Sequence, residues 1–289
     1  MTGTAPQEPQ HDQDQAALRL IPDKMWVKAR QAVETGKVLV ITGAGISAES
    51  GIPTFRGSDG YWTVGSERYT PQQIATSATM ESQIDVLWDW YLHRLKNHVD
   101  SAQPNPGHEA IAALADRIMS PERFLCVTQN IDELHVRAGL SHLQCVEIHG
   151  NGRYMRCSDE CWLRNNNEMP KFTEIPKDAK FPEDLTCPDC GFMMRPHILL
   201  FDEMYSQELY RSDEAQIFAE EADLVITVGC SGGVPVAQIL ANYAVMRDAI
   251  VIDVNPDPGP LSNLAEQTGI WLRGRSGIVV PKLVDFLTS

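Results

Sequence analysis

The sequence predicts an α/β fold: a doubly wound, Rossmann-like parallel sheet with a smaller inserted zinc-binding module. Four short apolar runs rich in β-branched residues are separated by stretches of helical periodicity, which is typical of parallel strands covered by helices on both faces. These runs are Val38–Thr42, Phe124–Thr128, Leu224–Val228 and Ile250–Val254. The segment 152–197, rich in Asn, Pro, Lys and Cys, breaks this alternation and indicates the insertion.

The 289 residues divide into regions of different character. Residues 1–17 are rich in Gln, Pro and Asp and are expected to form a disordered tail, which leaves 18–289 as the folded domain. Helical spacing of apolar residues predicts helices from Asp23 to Gly36 and over 109–118, 236–245 and 279–287. Residues 55–100 form a long, irregular stretch that is expected to surround the active site as a loop and helical lobe.

Composition excludes several classes of partner. Lys plus Arg is 24 and Asp plus Glu is 39, so the formal net charge is −15, which is unfavourable for binding nucleic acid. No apolar run approaches the ~20 residues of a membrane-spanning helix, and the first residues carry no secretory signal pattern. The sequence therefore predicts a cytoplasmic protein with reduced thiols that binds neither nucleic acid nor membranes. It leaves the oligomeric state open.

Four of the seven cysteines form two close pairs within the predicted insertion. Cys157 and Cys161 are separated by three residues, Cys187 and Cys190 by two, and 25 residues lie between the pairs. Four thiolates satisfy tetrahedral Zn²⁺ and leave no open coordination position, so the pattern predicts one structural zinc ion rather than a catalytic one. Cys126, Cys145 and Cys230 stand alone in apolar runs and are expected to be buried.

A glycine-rich turn follows the first predicted strand, with the sequence Gly43-Ala44-Gly45-Ile46-Ser47-Ala48. This G-x-G-x-x-A spacing allows a sharp turn and a close approach of the backbone to a pyrophosphate, although an ordinary strand–helix turn remains an alternative. The acidic residue that usually closes a second strand about 20 residues later is missing, which disfavours a hydride-transfer dehydrogenase.

Three ordered motifs resemble the sirtuin family of NAD-dependent protein deacylases, and the resemblance extends over 38–287. The first motif is the glycine-rich turn together with Ser50-Gly51-Ile52-Pro53-Thr54-Phe55-Arg56-Gly57. The second is Thr128-Gln129-Asn130-Ile131-Asp132 followed by Leu134-His135. The third is Glu147-Ile148-His149-Gly150.

The resemblance implies that NAD and an acylated lysine of a protein substrate react between a large and a small lobe. It makes His149 the catalytic base, and an unperturbed pKa near ~6.5 suits such a role at neutral pH. It implies these NAD-binding residues: Gly43, Ala44, Gly45, Ser47, Phe55, Arg56, Gln129, Asn130, Asp132, Gly229, Ser231 and Asn255. It places the peptide near Phe201, Glu203 and Val234. The acyl oxygen would displace nicotinamide, and His149 would then activate a ribose hydroxyl that receives the acyl group.

A Tyr91-x-x-Arg94 pattern resembles the sirtuin subgroup that removes succinyl and malonyl groups. In that subgroup the Tyr and Arg bind the acyl carboxylate, and a small residue, here Ala75, leaves room for the acyl chain. The guanidinium fork matches a carboxylate, and the two side chains would share one face of an α-helix. An ordinary amphipathic helix is the alternative.

Four residues depart from the family pattern: Glu133 and Asp202 replace Gly, Val236 replaces Pro, and Cys230 replaces Thr. Asp202 and Val236 lie near the implied peptide groove, so a mono-ADP-ribosyltransferase or NAD glycohydrolase is an alternative function. A non-catalytic NAD-sensing module is a third. The intact His149 favours deacylation. Acidic Asp202 and Glu203 are expected to favour basic substrates.

Overall fold

A computed structural model describes residues 23–53, 75–164 and 169–289. Within these ranges six parallel strands form one sheet in the order β3-β2-β1-β7-β8-β9. The strands are β1 (Val38–Thr42), β2 (Phe124–Thr128), β3 (Cys145–Glu147), β7 (Leu224–Val228), β8 (Ile250–Val254) and β9 (Ile270–Leu272). The order reverses between β1 and β7, and ligands of such sheets bind at this point, outside the carboxyl ends of the strands.

Complete burial explains the apolar strands. Every residue of β1, β2, β7 and β8 is buried, so these strands read as continuous apolar runs instead of alternating ones. The four strands have the bounds predicted from the sequence. The sequence did not reveal β3 and β9, because three residues are too few to establish a period.

Helices cover both faces of the sheet. The α-helices are α1 (Asp23–Thr35), α2 (Ala44–Ser47), α3 (Ser77–Ser82), α4 (Ile84–Trp90), α5 (Lys96–Ser101), α6 (Pro106–Ile118), α7 (Leu134–Arg137), α8 (Gln207–Tyr210), α9 (Ser212–Glu221), α10 (Val236–Val245), α11 (Pro260–Thr268) and α12 (Ser276–Thr288). One apolar cluster joins α1, α6 and α12 to the sheet, and a second joins α9, α10 and α11 to the opposite face. This arrangement confirms the doubly wound fold. Among the described helices, none combines the length and apolarity that a membrane crossing requires.

Two helices begin earlier than the sequence predicts. Asn105 caps the start of α6, where its side chain accepts a hydrogen bond from Gly107 N at 2.9 Å, and Pro106 takes the first helical position. The other is α12, which begins at Ser276 although the apolar periodicity starts at Val279. In both cases the first turn carries little apolar signal, so the periodicity places the start too late.

The smaller lobe contains a three-stranded antiparallel sheet, in the order β5-β4-β6, formed by β4 (Gly150–Cys157), β5 (Thr173–Glu174) and β6 (Met194–Ile198). A third apolar cluster packs this sheet against the helices of 84–101. Trp88 is fully buried there, and its indole N–H donates to Met194 O at 2.8 Å. The described residues of the predicted helical lobe and of the predicted zinc module therefore share one core. Residues 1–17 and 55–74 lie outside the described ranges.

Glu133 holds a left-handed backbone conformation, with φ +60° and ψ +9°, at the start of α7. This conformation favours Gly, the residue that the sirtuin resemblance implies at this position, and costs other residues about 1–2 kcal/mol. The Glu133 carboxylate accepts a hydrogen bond from Asn151 Nδ2 at 3.3 Å and pairs with Arg153 Nε at 3.0 Å. Arg153 also pairs with Asp100 and Glu174, so the network joins α5, β4 and β5 to this turn.

Two substitutions at Glu133 separate the backbone cost from the ion pair. Both Glu133→Ala and Glu133→Gly remove the carboxylate, but only glycine also relieves the left-handed strain. We expect Glu133→Gly to be more stable than Glu133→Ala by about 1 kcal/mol, measured as the free energy of unfolding in urea. Equal stability of the two variants would show that the backbone conformation carries no cost.

Candidate active site

The loops that follow β1 and β7 touch through their glycines. Gly43 N donates to Val228 O and Gly45 N donates to Gly229 O, each at 3.0 Å. A Cβ atom on Gly45 would lie 2.6 Å from Gly229 Cα, and Gly229 itself has φ +62°. The sequence predicted that Gly45 permits close approach to a pyrophosphate. The structure shows that it is already required for the contact between the two loops.

Three polar side chains meet beneath these loops. Ser47 Oγ donates to Asp132 Oδ2 at 2.6 Å, and Asn130 Nδ2 donates to Ser47 Oγ at 2.9 Å and to Gly43 O at 3.1 Å. Asp132 Oδ1 also accepts from Leu134 N at 3.0 Å. All three side chains are buried, so hydrogen bonds inside the protein replace those to water. The first and second sequence motifs therefore converge on one buried cluster of polar side chains, which is called the polar pocket below.

Two buried histidines support this pocket from behind, and sequence reasoning identified only one of them. His135 Nε2 lies 2.9 Å from Thr42 Oγ1, and His108 Nε2 lies 3.4 Å from Ser47 Oγ. Their rings pack edge to face with centroids 4.9 Å apart. Burial, aided by His135, lowers the pKa of His108 to about 2, so its imidazole is neutral. His108 lies just outside the predicted helix, where no motif marked it.

The loops at the carboxyl ends of β7 and β8 hold the positions assigned to the adenosine half of NAD. Asn255 Nδ2 donates to Cys230 O at 2.9 Å, and Asn255 O accepts from Trp271 Nε1 at 3.0 Å. Ser231 is exposed, and its Oγ accepts from Gly233 N at 3.4 Å. Gln129 Nε2 reaches across to Cys230 Sγ at 3.5 Å. The structure thus brings these positions to the same edge of the sheet as the glycine loops.

His149 lies at this edge with both ring nitrogens engaged. Its Nδ1 is 2.8 Å from Gln129 O, and its Nε2 is 3.1 Å from the hydroxyl of Tyr205. A carbonyl oxygen only accepts hydrogen bonds, so Nδ1 carries the proton and Nε2 is the nitrogen that accepts. Burial lowers the pKa of His149 to about 4, which keeps the imidazole neutral at physiological pH. Sequence reasoning missed Tyr205.

The positions assigned to the peptide differ in exposure. Phe201 is 51% exposed and Val234 is 37% exposed, so both present apolar surface to solvent. Glu203 points inward, where it pairs with Arg195 and accepts from Leu200 N at 2.9 Å. Asp202 Oδ1 accepts from Ser77 N at 2.7 Å. Both carboxylates form contacts within the fold, which weakens the expectation that they attract basic substrates.

The positions assigned to acyl recognition lie in the smaller lobe. Ala75 is buried, and its carbonyl accepts from Phe201 N at 2.9 Å. Tyr91 is fully buried beside Trp88, with ring centroids 5.7 Å apart. The helix of 91–95 is a π-helix rather than the α-helix that the sequence predicts, a local form that is frequent at functional sites. Arg94 lies on this turn, but its side chain is outside the described part of the structure, as are Phe55 and Arg56.

The four paired cysteines form a cluster that fits a zinc ion. Their Sγ atoms all lie within 4.8 Å of one another; Cys157 and Cys190 are 3.5 Å apart, and Cys161 and Cys187 are 3.8 Å apart. A tetrahedron with Zn–S bonds of ~2.3 Å has edges of about 3.8 Å, so the spacing suits four thiolate ligands. Cys126, Cys145 and Cys230 are buried elsewhere, as predicted.

Removing one ligand should release the zinc and loosen the smaller lobe. We expect Cys187→Ala to lose bound zinc and to become susceptible to proteolysis within 152–197, because the metal contributes folding energy to this lobe. The matched control is Cys145→Ala, which removes a buried thiol from β3 and should retain one zinc per chain. Zinc content and limited proteolysis are the measurements, and a zinc-free wild-type protein with a stable lobe would contradict the structural role.

Comparison with known proteins gives consistent matches. Residues 43–236 match the model of the Sir2 family. The chain is 36% identical over 262 residues to the NAD-dependent protein deacylase 1 of Archaeoglobus fulgidus, and the matched region covers 89% of this chain and 96% of that protein. It is 39% identical over 240 residues to the NAD-dependent protein deacylase of Thermus thermophilus, covering 82% and 87% respectively.

Solved structures agree with the sequence matches. A complex of a Sir2 homologue with NAD is similar with a TM-score of 0.73 at 33% identity, over 92% of this chain and 93% of that one. A Sir2 structure with a p53 peptide and NAD⁺ is similar with a TM-score of 0.70 at 25% identity, over 92% and 98%. The matched segment contains both glycine loops, the buried polar pocket, His149 and the four cysteines, and the chain therefore belongs to the Sir2 family.

Proposed function

We propose that this chain is an NAD-dependent protein-lysine deacylase, which transfers an acyl group from lysine to ADP-ribose and releases nicotinamide. One observation carries the proposal. The neutral imidazole of His149, held in a single tautomer by Gln129 O, lies at the same sheet edge as the buried Ser47–Asn130–Asp132 pocket. The base and the NAD-binding pocket are thus adjacent, as acyl transfer to a ribose requires.

The buried pocket suits the cleavage of the bond between nicotinamide and ribose. Positive character develops on the ribose during this step, and polar groups that are already fixed stabilise such charge without reorganisation. Ser47, Asn130 and Asp132 are fixed by one another, by Gly43 O and by Leu134 N. We assign the nicotinamide ribose and the amide group of NAD to this pocket. Gln129, at the same strand end, borders it.

His149 supplies the base for the second half of the reaction. Its Nε2 lone pair accepts the proton of a ribose hydroxyl, which then receives the acyl group. The donated Nδ1–H bond to Gln129 O fixes the ring and stabilises the imidazolium that results. The zinc, when bound, supplies folding energy, and four thiolate ligands leave no position for substrate.

The pH dependence of acyl transfer tests the assignment of His149. Because burial lowers the pKa of His149 to about 4, its imidazole remains unprotonated as the pH falls from 8 to 6. The loss of acyl-transfer rate that protonation of His149 causes is therefore expected only below pH 6. His149→Asn should lower kcat for acyl transfer by about 10²–10⁴-fold with an unchanged urea midpoint. The measurement is the pH profile of O-acyl-ADP-ribose formation, and full activity of His149→Asn would exclude the proposed base.

Incubation with NAD, with and without an acyl-lysine peptide, separates the possible reactions. O-acyl-ADP-ribose that forms only with peptide supports deacylation. Free ADP-ribose or labelled protein without peptide would instead indicate an NAD glycohydrolase or an ADP-ribosyltransferase.

We further propose that the enzyme accepts acidic acyl groups such as succinyl and malonyl. Three positions support this: the small Ala75, the buried Tyr91, and Arg94 on the same π-helical turn. The π-helical turn itself packs in the core of the smaller lobe, which gives Tyr91 a fixed position. An arginine binds a carboxylate through two parallel hydrogen bonds, and an acetyl group offers no such partner.

Arg94 should therefore distinguish acyl chains. We expect Arg94→Met to lower kcat/KM for a succinyl-lysine peptide by about 10–100-fold, because one or two hydrogen bonds to a charged group contribute a free energy of this size. The kcat/KM for an acetyl-lysine peptide should change by less than about threefold. Arg94→Lys keeps the positive charge but lacks the guanidinium fork, so its kcat/KM for the succinyl-lysine peptide should lie between those of the wild-type enzyme and Arg94→Met. Arg247→Met, which removes an exposed arginine beyond α10, is the control. Equal loss of both activities in Arg94→Met would remove the carboxylate assignment.

A further inference from the structure

Tyr205 lies against the catalytic base in this structure. Its hydroxyl is 3.1 Å from His149 Nε2, and the two rings stack at 25° with centroids 5.9 Å apart. Since Nδ1 donates to Gln129 O, Nε2 can only accept, and the Tyr205 hydroxyl is the donor. The phenol therefore occupies the one lone pair that the imidazole offers.

The same lone pair must accept the ribose proton during acyl transfer. A ring nitrogen has a single lone pair in the plane of the imidazole, so the tyrosine hydroxyl and the ribose hydroxyl compete for one position. Burial raises the pKa of Tyr205 to about 12, so the phenol keeps its proton and remains a donor at neutral pH. The hydroxyl of Tyr205 must therefore leave Nε2 before His149 can act.

The short segment that carries Tyr205 is anchored at its two ends. On one side Glu203 is held by Arg195 and by Leu200 N. On the other side Ser206 caps α8, where its Oγ accepts from Leu209 N at 3.3 Å. In the described part of the chain, no backbone hydrogen bond joins Met204 or Tyr205 to other residues, and Met204 is 85% exposed. Among the described residues, no backbone hydrogen bond of Met204 or Tyr205 would have to break if the Tyr205 side chain turned away from His149.

We propose that Tyr205 is a positioning residue, whose hydroxyl occupies the base nitrogen of His149 and is displaced when the ribose hydroxyl approaches. This inference rests on the proposed function, because it assigns the competing hydroxyl to ADP-ribose. Tyr205 exchanges no proton in this scheme. The ribose proton passes to His149 Nε2, and the phenol moves with its own proton to solvent.

The first test measures how readily His149 reacts in the free protein. Diethylpyrocarbonate modifies a histidine through an unprotonated ring nitrogen, and mass spectrometry locates the product. Tyr205→Phe keeps the ring and removes the hydroxyl, so we expect His149 to react about two- to tenfold faster. This factor corresponds to the net free energy of one neutral hydrogen bond. The control is Tyr243→Phe on α10, which should leave this rate unchanged. An unchanged rate in Tyr205→Phe would overturn the proposal.

The second test separates the two halves of the reaction. Exchange of free nicotinamide into NAD requires only the first bond cleavage, whereas O-acyl-ADP-ribose formation also requires the base. We expect Tyr205→Phe to raise the ratio of acyl transfer to exchange by about two- to tenfold. An equal change in both rates would indicate a packing role and overturn the proposal. Failure of the wild-type enzyme to deacylate would refute the proposed function, while the modification rates of His149 would still report whether Tyr205 occupies the nitrogen.

Discussion

The contact between the backbones of Gly45 and Gly229 determines how closely the loops after β1 and β7 approach each other. These strands are neighbours at the point where the strand order reverses, and in sheets of this kind the loops at that point border the ligand-binding crevice. With a Cβ atom 2.6 Å from Gly229 Cα, any other residue at position 45 would force the loops apart. Ser47, two residues farther on, would then lose its place above Asn130 and Asp132.

The pocket beneath these loops illustrates why buried polar groups must be fully paired. A buried donor or acceptor without a partner costs about 1–3 kcal/mol, so Ser47, Asn130 and Asp132 are stable only as a set. In the proposed reaction, that same pairing would fix the groups before the substrate arrives, which is the condition for electrostatic stabilisation of a developing charge. Burial acts on His149 in a second way, because it disfavours the imidazolium and so keeps the proposed base unprotonated. Stability and reactivity thus depend on the same exclusion of water.

Parts of the fold and of the site follow from short-range patterns, and these were predictable. The four central strands have their predicted bounds because full burial leaves continuous apolar runs, and the spacing of four cysteines predicts the metal cluster. Contacts between residues far apart in the chain leave no such pattern. Tyr205 and His149 are 56 residues apart, and Asp202 and Ser77 are 125 apart. The contacts of Glu203 with Arg195 could not be predicted either, since the sequence does not indicate whether the side chain of an acidic residue near a groove points inward or outward.

Two departures from the family pattern are accommodated by local contacts. The strained backbone of Glu133 is accompanied by an ion pair with Arg153, and the Asp202 carboxylate accepts a hydrogen bond at the start of α3. The second contact lies next to the hydrogen bond from Phe201 N to Ala75 O, so two adjacent bonds tie the segment beside the base to the segment that begins with Ala75. A glycine at 202 would remove the bond from Ser77 N and leave the bond between Phe201 N and Ala75 O. Asp202 therefore acts in the described structure as a link between the segment that follows β6 and the start of α3, and its carboxylate is engaged by the Ser77 N–H.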